Sequence, residues 1–424
     1  MKIVQQINIF GGPGVSSNSV RIVAPSWWKY FASRYSGVQA IYFECNARMS
    51  NGDAIGDVEL YHMQPEDVIY TASVQGTAIA RYVSPDLKEY FADGKDMVVR
   101  YRLNTVSDPG TLKVFSCSIT IVQDDATESI KTATSYYLPR EIATTTGNTY
   151  TGFLDRSDKV YINGYDGTIK HYFECYLYSQ SGGTSYARLY DVTADAPVAG
   201  SEISTSETDP VYCVSGELTL IDGHYYCVQY RNGTSGKTAY GCAGQIVTTV
   251  AGFTKCVSIP CEFGGYIEEN VNNWHTIAIR NFLGSLIEAG SESYKWDFYV
   301  NIEFGAEDDG DNVRLLRADN GQAVTGSAFN IPWQEAALHY HSSVDITPPA
   351  SDTVLSQQED SYYSYGMNLG RIVAFLEPTP PTYPYIPADP TMPSGYHAFM
   401  SNFVKNVTAN YRPLATPDGV HRLY

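Results

Sequence analysis

The cysteines are the residues of this chain most able to do chemistry, because a thiol can form a disulfide, bind a metal or pack as a small apolar group. There are eight of them. Cys45 and Cys117 recur in similar sequence surroundings as Cys175 and Cys242, and in a third copy both positions become asparagine. A paired replacement suggests spatial neighbours. We therefore expect Cys45 to lie near Cys117 and Cys175 near Cys242, as disulfides or as adjacent buried thiols.

Three other clusters could bind a metal, and each also has a simpler interpretation. Cys256 and Cys261 form a C-x4-C pair without a second pair nearby, so a local disulfide or no function is favoured over zinc. The segment 307–312 is rich in the oxygen ligands that Ca²⁺ prefers, but it also suits an acidic hairpin turn. His339 and His341 would share one face of a strand without an identifiable third ligand. We expect no metal and no cofactor.

A catalytic centre is not indicated. The glycine-rich run 10–14 has the composition of an oxyanion loop, but the chain lacks the Gly-x-Ser-x-Gly elbow that accompanies such a loop in α/β-hydrolases. We interpret the run as a hinge after a first strand. The sequence therefore predicts a protein that is not an enzyme and has no catalytic residues.

Charge and hydropathy narrow the classes of partner. The 28 basic residues against 46 acidic ones give a net charge of −18, which disfavours nucleic-acid binding. Since no apolar run approaches the roughly 18 residues of a membrane helix, we expect no membrane insertion. The first ten residues interrupt any apolar stretch with Gln5, Gln6 and Asn8, so we expect synthesis in a host cytoplasm without a signal peptide.

An internal repeat organises the chain. The tetrapeptide 42–45, Tyr-Phe-Glu-Cys, recurs at 172–175, and collinear matches continue around it. A third copy follows at 298–301. Because self-similarity at a long period indicates repeated structural units, the sequence predicts three related modules.

The local pattern within a module is that of β-strands. Tyr226, Val228 and Tyr230 alternate with polar residues, which is typical of a strand with one buried face. Asp93-Gly94 and Asp222-Gly223 supply turns between strands, and a short helix is expected only near 65–68. About eight strands per roughly 125 residues is typical of a β-sandwich. We predict an all-β fold of three tandem antiparallel β-sandwiches, jelly-roll or immunoglobulin-like, forming an elongated rod.

The predicted organisation has five parts. They are an N-terminal arm (1–26), module 1 (27–141), module 2 (142–275), module 3 (276–378) and a proline-rich extended C-terminal tail (379–424). Both arms are expected to lock subunits together, since an ordered arm needs a partner surface to offset its lost entropy. The residues assigned to these assembly arms are Gly11, Gly12, Pro13, Pro380, Pro381 and Pro384.

Repeated sandwich modules, acidic charge, a glycine-rich N-terminal arm and a proline-rich C-terminal arm together resemble the tandem β-sandwich virion structural proteins of tailed bacteriophages. The resemblance implies a non-enzymatic part of a capsid decoration, neck or tail-fibre assembly, located in the virion. Its implied partners are further copies of the chain and other virion structural proteins.

Two alternatives remain open at the level of sequence. One is a protein of the extracellular surface: an adhesin, a filament subunit or a carbohydrate-binding array that stacks a glycan on aromatic residues such as Trp27, Trp28 and Trp333. The other is an accessory β-sandwich region of a polysaccharide-degrading enzyme, for which no local motif proposes the two carboxylates that a glycosidase requires.

Overall fold

Antiparallel β-sheets make up the fold in a computed structural model of the chain. The structure describes residues 2–24, 26–104, 110–124, 130–138, 143–152, 158–267, 271–286, 293–301, 311–331, 338–342, 346–361 and 366–376. Within these ranges the helical elements are three short 3-10 turns, at Ala32–Arg34, Lys88–Tyr90 and Gly284–Leu286. No helix in the described ranges has the length and apolarity to cross a membrane.

The first third of the chain forms two sheets. Sheet 1 has the order β1-β9-β4-β7, and sheet 2 has the order β2-β8-β5-β6, with β3 also on β8. Their strands are β1 (Lys2–Ser16), β2 (Ile22–Val23), β3 (Trp28–Lys29), β4 (Val38–Met49), β5 (Ile55–His62), β6 (Asp67–Gln75), β7 (Ala80–Val83), β8 (Asp96–Leu103) and β9 (Leu112–Asp124).

The middle third repeats this arrangement. Sheet 3 has the order β10-β20-β14-β18 with β11 on β20, and sheet 4 has the order β12-β19-β15-β16 with β13 on β19 and β17 on β15. Their strands are β10 (Lys131–Tyr137), β11 (Ala143–Thr145), β12 (Thr151–Gly152), β13 (Asp158–Lys159), β14 (Thr168–Ser179), β15 (Ser185–Asp191), β16 (Ala196–Pro197), β17 (Ile203–Thr205), β18 (Val211–Val214), β19 (Tyr225–Asn232) and β20 (Ala239–Ala251).

The last third repeats it again. Sheet 5 has the order β21-β28-β23-β26 and sheet 6 the order β22-β27-β24-β25. Their strands are β21 (Cys256–Ile267), β22 (Val271–Phe282), β23 (Ser293–Asn301), β24 (Asp311–Arg317), β25 (Phe329–Ile331), β26 (Leu338–Ser342), β27 (Thr353–Ser361) and β28 (Gly366–Leu376).

Strand order distinguishes the two predicted topologies. When an interrupted strand is counted once, each sheet pair contains eight strands in the orders 1-8-3-6 and 2-7-4-5. This is the double Greek key of a jelly roll, so the all-β sandwich prediction is confirmed and its immunoglobulin-like variant is wrong.

A hydrophobic core lies between the two sheets of each pair, with both sheets contributing side chains. The alternation predicted for one strand is confirmed, because Tyr226, Val228 and Tyr230 all belong to the second core. Representative buried residues are Phe43, Val58, Val99 and Ile119 in the first pair, Phe173, Leu189, Val228 and Ile246 in the second, and Phe263, Leu315, Leu355 and Ile372 in the third.

The N-terminal segment differs from the expected arm. Residues 2–16 instead form β1, which pairs antiparallel with β9 over almost its whole length. Gly11, Gly12 and Pro13, expected to belong to an assembly arm, lie within this strand, where the register shifts between Gly11 and Gly14. A first strand was expected before the hinge, but its continuation and its pairing were missed because its partner, β9, lies at the far end of the first sheet pair, beyond the range of local sequence patterns.

The predicted boundaries between the modules differ from those of the sheet pairs for the same reason. β10, placed at the end of module 1, pairs with β20 of the second sheet pair. β21, placed in module 2, pairs with β28 of the third. In each jelly roll the first strand pairs with the last, so repeat matching that begins at the third strand assigns the first strand to the preceding unit.

The predicted Asp-Gly turns are present, but the predicted short helix is not. Gly94 and Gly223, which follow aspartate in the predicted turns, have φ of +72° and +74°, a conformation that favours glycine. The helix expected at 65–68 is absent, since a turn at 63–66 leads directly into β6. The C-terminal tail, with Pro380, Pro381 and Pro384, lies outside the described residues.

Substitution of Ile7 tests whether β1 belongs to the first sandwich. Ile7 is 1% exposed and lies in the first core, so Ile7→Ala is expected to lower the free energy of unfolding by about 2–5 kcal/mol. Val20, 67% exposed, is the matched control, and Val20→Ala should change the free energy of unfolding by less than about 0.5 kcal/mol. Denaturant unfolding measures both. Equal, small effects would show that the segment is a detached arm.

Candidate functional site

The first strands of the three sheet pairs meet at one junction. β1, β10 and β21 are edge strands of sheets 1, 3 and 5 respectively. Thr134 of β10 donates its hydroxyl hydrogen to the carbonyl oxygen of Val257 in β21, 2.8 Å, and receives a hydrogen bond from the Gln5 amide of β1, 3.1 Å. The junction therefore connects segments more than 250 residues apart, and the expected elongated rod is wrong.

Side chains of β1 satisfy backbone groups of β21. The amide N–H of Ile259 donates to Gln5 Oε1 at 3.0 Å, and that of Glu262 donates to Gln6 Oε1 at 2.7 Å. In return, the Glu262 carboxylate accepts from the Asn8 N–H at 3.0 Å. All these side chains are buried. Because unpaired backbone groups at a buried edge are costly, the two edge strands stabilise each other.

An apolar cluster accompanies this polar network. It draws on all three sheet pairs, which are represented by Ile3, by Ile130 and Val250, and by Val257 and Val373. A hydrophobic core of this kind fixes the relative positions of the sheet pairs, since separating them would expose its side chains to water.

The first sheet pair contacts the second through the segment that precedes β4. Arg34 forms an ion pair with Glu174 on β14, and the ring of Phe31 packs against Tyr212 on β18 with centroids 5.7 Å apart. Trp27 packs on Tyr176 at 6.2 Å. This segment thereby covers the outer face of sheet 3.

The ion pair in this contact is desolvated. The side chain of Glu174 is 1% exposed and that of Arg34 is 16% exposed. Burial alone would lower the pKa of Arg34, but the charge of Glu174 and its hydrogen bond outweigh burial and raise it. Gln245 donates a further hydrogen bond to Glu174 at 2.9 Å. The buried Glu174 carboxylate therefore has two donors, one of which, Arg34, belongs to the neighbouring sheet pair.

The second sheet pair contacts the third through the equivalent segment, which precedes β14. The ring of Tyr161 packs edge-on against Phe375 of β28 at 5.3 Å. Arg371 donates to the carbonyl oxygen of Lys159 at 2.7 Å. Gly164 lies so close to β21 that a Cβ atom there would be 2.3 Å from the Val257 side chain. Glycine at this position permits the close approach.

The third sheet pair contacts the first through the equivalent segment, which precedes β23. The N–H of Asn281, in the segment that precedes β23, donates to Glu44 Oε1 at 3.4 Å. Glu44 is 2% exposed and forms an ion pair with Arg81 at 2.9 Å. Glu44 and Glu174 occupy equivalent positions of the repeated tetrapeptide. The first sheet pair therefore contacts the second, the second contacts the third, and the third contacts the first.

The predicted cysteine neighbours are close in the first sheet pair. Cys45 and Cys117 are directly opposite each other in the β4–β9 ladder, and both are buried. Burial, followed by the hydrogen bond and charge of Cys45, raises the pKa of the Cys117 thiol. Both are free thiols in the structure.

The second cysteine pair has a different register. A β-bulge places Tyr176 opposite Cys242, so Cys175 instead faces Cys213 of β18. Cys175 remains close to Cys242, because its thiol donates to the Cys242 carbonyl oxygen at 3.2 Å. The role of Cys213 was missed, since its strand is short and carries no repeat signal. Cys256 is a free, buried thiol of β21.

The remaining candidate residues do not form a site in the described part of the chain. His339 and His341 belong to β26, and 302–310 and Trp333 lie outside the described residues. Trp28 is only 3% exposed and lies in the first core, so it does not offer the expected sugar-stacking face. In the ranges that the structure describes, no group of three or more His, Cys, Asp or Glu side chains is arranged to hold a metal ion.

Comparisons with known proteins give no family. No family model matches the chain, and no curated protein matches it. Similar solved structures include the infectious bursal disease virus VP2 subviral particle, with 8% identity over 88% of this chain and 79% of that chain and a TM-score of 0.21. An archaeal virus protein described as a triple jelly roll with turret assembly has 10% identity, 88% and 90% coverage and a TM-score of 0.17.

A tandem pair of carbohydrate-binding domains has a similar level of likeness to this chain. The CBM22-1-CBM22-2 domains of Paenibacillus barcinonensis Xyn10C share 8% identity with the chain, cover 57% of it and 93% of their own length, and have a TM-score of 0.18. TM-scores of this size establish no specific relationship to any of these proteins.

Removal of the Glu174 carboxylate is expected to weaken the first inter-pair contact. Glu174→Ala leaves the Arg34 charge buried without its partner, so the free energy of unfolding should fall by about 3–5 kcal/mol. Glu217→Ala is the control, because Glu217 pairs with Lys170 at the surface and should contribute less than about 1 kcal/mol. Denaturant unfolding followed by tryptophan fluorescence measures both. Equal losses would contradict a buried ion pair.

The thiols are expected to be unreactive in the folded protein. Burial raises the pKa of Cys175 to about 12 and that of the half-buried Cys213 to about 11, so little thiolate is present at neutral pH. Alkylation followed by mass spectrometry should show slow labelling of the native protein and eight labels after denaturation, with or without reductant. Labels that appear only after reduction would demonstrate disulfides.

Proposed function

We propose that this protein is a non-enzymatic structural component of a virus particle, such as a phage capsid decoration, neck or tail-fibre protein. The observation that carries the proposal is the contact repeated from each jelly-roll sheet pair to the next and back to the first. Head-to-tail contacts that return to their starting point make a closed ring, which is how repeated subunits form bounded assemblies. Here one chain supplies the whole ring.

A ring of packed jelly rolls is a suitable building block for a shell or collar. Sheet-on-sheet packing makes each unit rigid, and within the described residues the contacts between units leave the outer faces of sheets 2, 4 and 6 for further partners. We propose that these partners are other copies of the chain and other virion structural proteins. The net charge of −18 supports partners other than nucleic acid.

The C-terminal tail is proposed to dock on a neighbouring subunit. Residues 396–424 contain three basic residues and one acidic residue, a net charge of +2, whereas the rest of the chain has a net charge of −20 (−18 less +2). Opposite charge favours binding of this segment to the acidic body of another copy. Pro380, Pro381 and Pro384 would keep the connecting segment extended.

A surface adhesin or carbohydrate-binding protein is the second candidate. The observation in its favour is an aromatic side chain of sheet 6, Trp274, which is 37% exposed and stacks with an arginine. Such a surface suits a glycan, but it does not account for the closed set of contacts between the sheet pairs.

Assembly of the purified protein tests the proposal. We expect the full chain to form defined oligomers by light scattering and electron microscopy, and a chain ending at residue 378 to remain monomeric with an unchanged melting temperature. Immunogold labelling with antibody to the chain should mark virus particles from the natural source. A monomeric full-length chain, together with label on cell surfaces and not on particles, would favour the adhesin.

A further inference from the structure

Two arginines on the outer faces of sheets 4 and 6 have the same environment. In sheet 4, Arg188 Nε donates to Gln229 Oε1 at 2.8 Å, and its guanidinium lies 3.8 Å from the ring centroid of Tyr150. In sheet 6, Arg314 Nε donates to Gln358 Oε1 at 2.9 Å. These sets, each of one aromatic residue, one arginine and one glutamine, are called the stacked-arginine triplets.

The third member of the second triplet is Trp274. The Arg314 guanidinium lies 3.9 Å from the Trp274 ring centroid, which matches the distance in sheet 4. In both triplets the arginine and glutamine are direct cross-strand partners, and the aromatic residue comes from the segment at the start of the second strand. The same geometry therefore arises at equivalent places in two sheet pairs.

The equivalent place in sheet 2 has different chemistry. There Glu59 is the cross-strand partner of Arg100, and Arg21 takes the place of the aromatic residue. Glu59 is 3% exposed and accepts from both arginines, at 3.0 Å from Arg21 and 2.7 Å from Arg100. Burial would raise the pKa of Glu59, but these bonds and charges lower it. Here an internal carboxylate neutralises the guanidinium groups.

Sheets 4 and 6 lack this internal carboxylate in the residues that the structure describes. Arg188 and Arg314 form no ion pair there, and only the Nε atom of each donates a hydrogen bond to another described side chain. Glu202, the acidic neighbour of the first triplet, accepts from Tyr150 and pairs with Arg231 at 3.6 Å. Among the described residues, each triplet therefore leaves two outer guanidinium nitrogens for an external acid.

We propose that the stacked-arginine triplets are binding sites for sugars that carry a carboxylate, such as uronic or sialic acid residues of a polysaccharide. The two outer nitrogens of a guanidinium match the two oxygens of a carboxylate. The neighbouring aromatic surface, most exposed at Trp274, packs against the C–H groups of a sugar ring. This site does not depend on the proposed place of the protein in a virion.

The triplet also prepares the arginine for binding. Stacking on the ring and the Nε bond to glutamine hold the guanidinium in one orientation, which reduces the entropy lost when a ligand binds. The arginines are half-buried, so a bound carboxylate would be partly shielded from water and salt. An acidic ligand is thus favoured locally in a chain whose net charge is −18.

Calorimetric titration of the full chain with galacturonic acid trisaccharide tests the proposal. We expect binding at both triplets in low salt, and no binding of the neutral galactose trisaccharide. Arg188→Gln and Arg314→Gln should each weaken binding at their own triplet at least about tenfold, the usual effect of losing a charge-assisted hydrogen bond. Trp274→Ala should weaken the second site only.

Arg317→Gln is the matched control. Arg317 lies near Arg314, at the end of the same strand, but pairs with Asp319, so its loss should leave binding unchanged. Failure of the acidic trisaccharide to bind would overturn the proposal, as would equal binding of the neutral sugar. Equal binding of a glutamate tripeptide would overturn the assignment to sugars. Unchanged melting temperatures of the variants would show that the losses are not due to unfolding.

Discussion

The exposed backbone of an edge strand is the constraint on which this architecture depends. A jelly roll places its first strand at the edge of a sheet, where N–H and C=O groups lack a strand partner. Gln5 and Gln6 supply side-chain oxygens to the N–H groups of Ile259 and Glu262, so β1 and β21 cover each other. The junction formed in this way lies between sheets 1, 3 and 5. The contacts between sheet pairs are therefore part of the fold itself.

Local sequence patterns were sufficient for the class of fold. Two-residue periodicity and Asp-Gly turns predict the strands correctly, as the buried face of β19 shows. They could not assign the partners of β1, β10 and β21, because the partner of each lies at the far end of its jelly roll. The rod was wrong for a related reason: Gln5, Gln6 and Thr134 are ordinary polar residues in the sequence, and their role appears only when edge strands meet.

The repeated tetrapeptide has a structural meaning that the sequence did not reveal. Its glutamate, at Glu44 and Glu174, points away from each sandwich core and accepts hydrogen bonds from other segments, including one of a neighbouring sheet pair. In the third sheet pair the strand register places Asp297 opposite Arg371, as Glu174 lies opposite Gln245, so the corresponding residue is Asp297 and not Val300 as the sequence match implied. Here Arg371 takes the place of Gln245, and its side chain bonds to a carbonyl oxygen of the second sheet pair. Similar contacts are thus made by different chemistry.

Covalent continuity changes the thermodynamics of this ring. Three separate subunits would dissociate on dilution, whereas sheet pairs joined in one chain meet at an effective concentration that is set by the connecting segments. Separate identical subunits would also force every copy of a contact to be the same. In this chain a substitution at Glu44 leaves the contact at Glu174 untouched. Each contact between sheet pairs can therefore acquire its own chemistry, as the different groups at Glu44, Glu174 and Arg371 show.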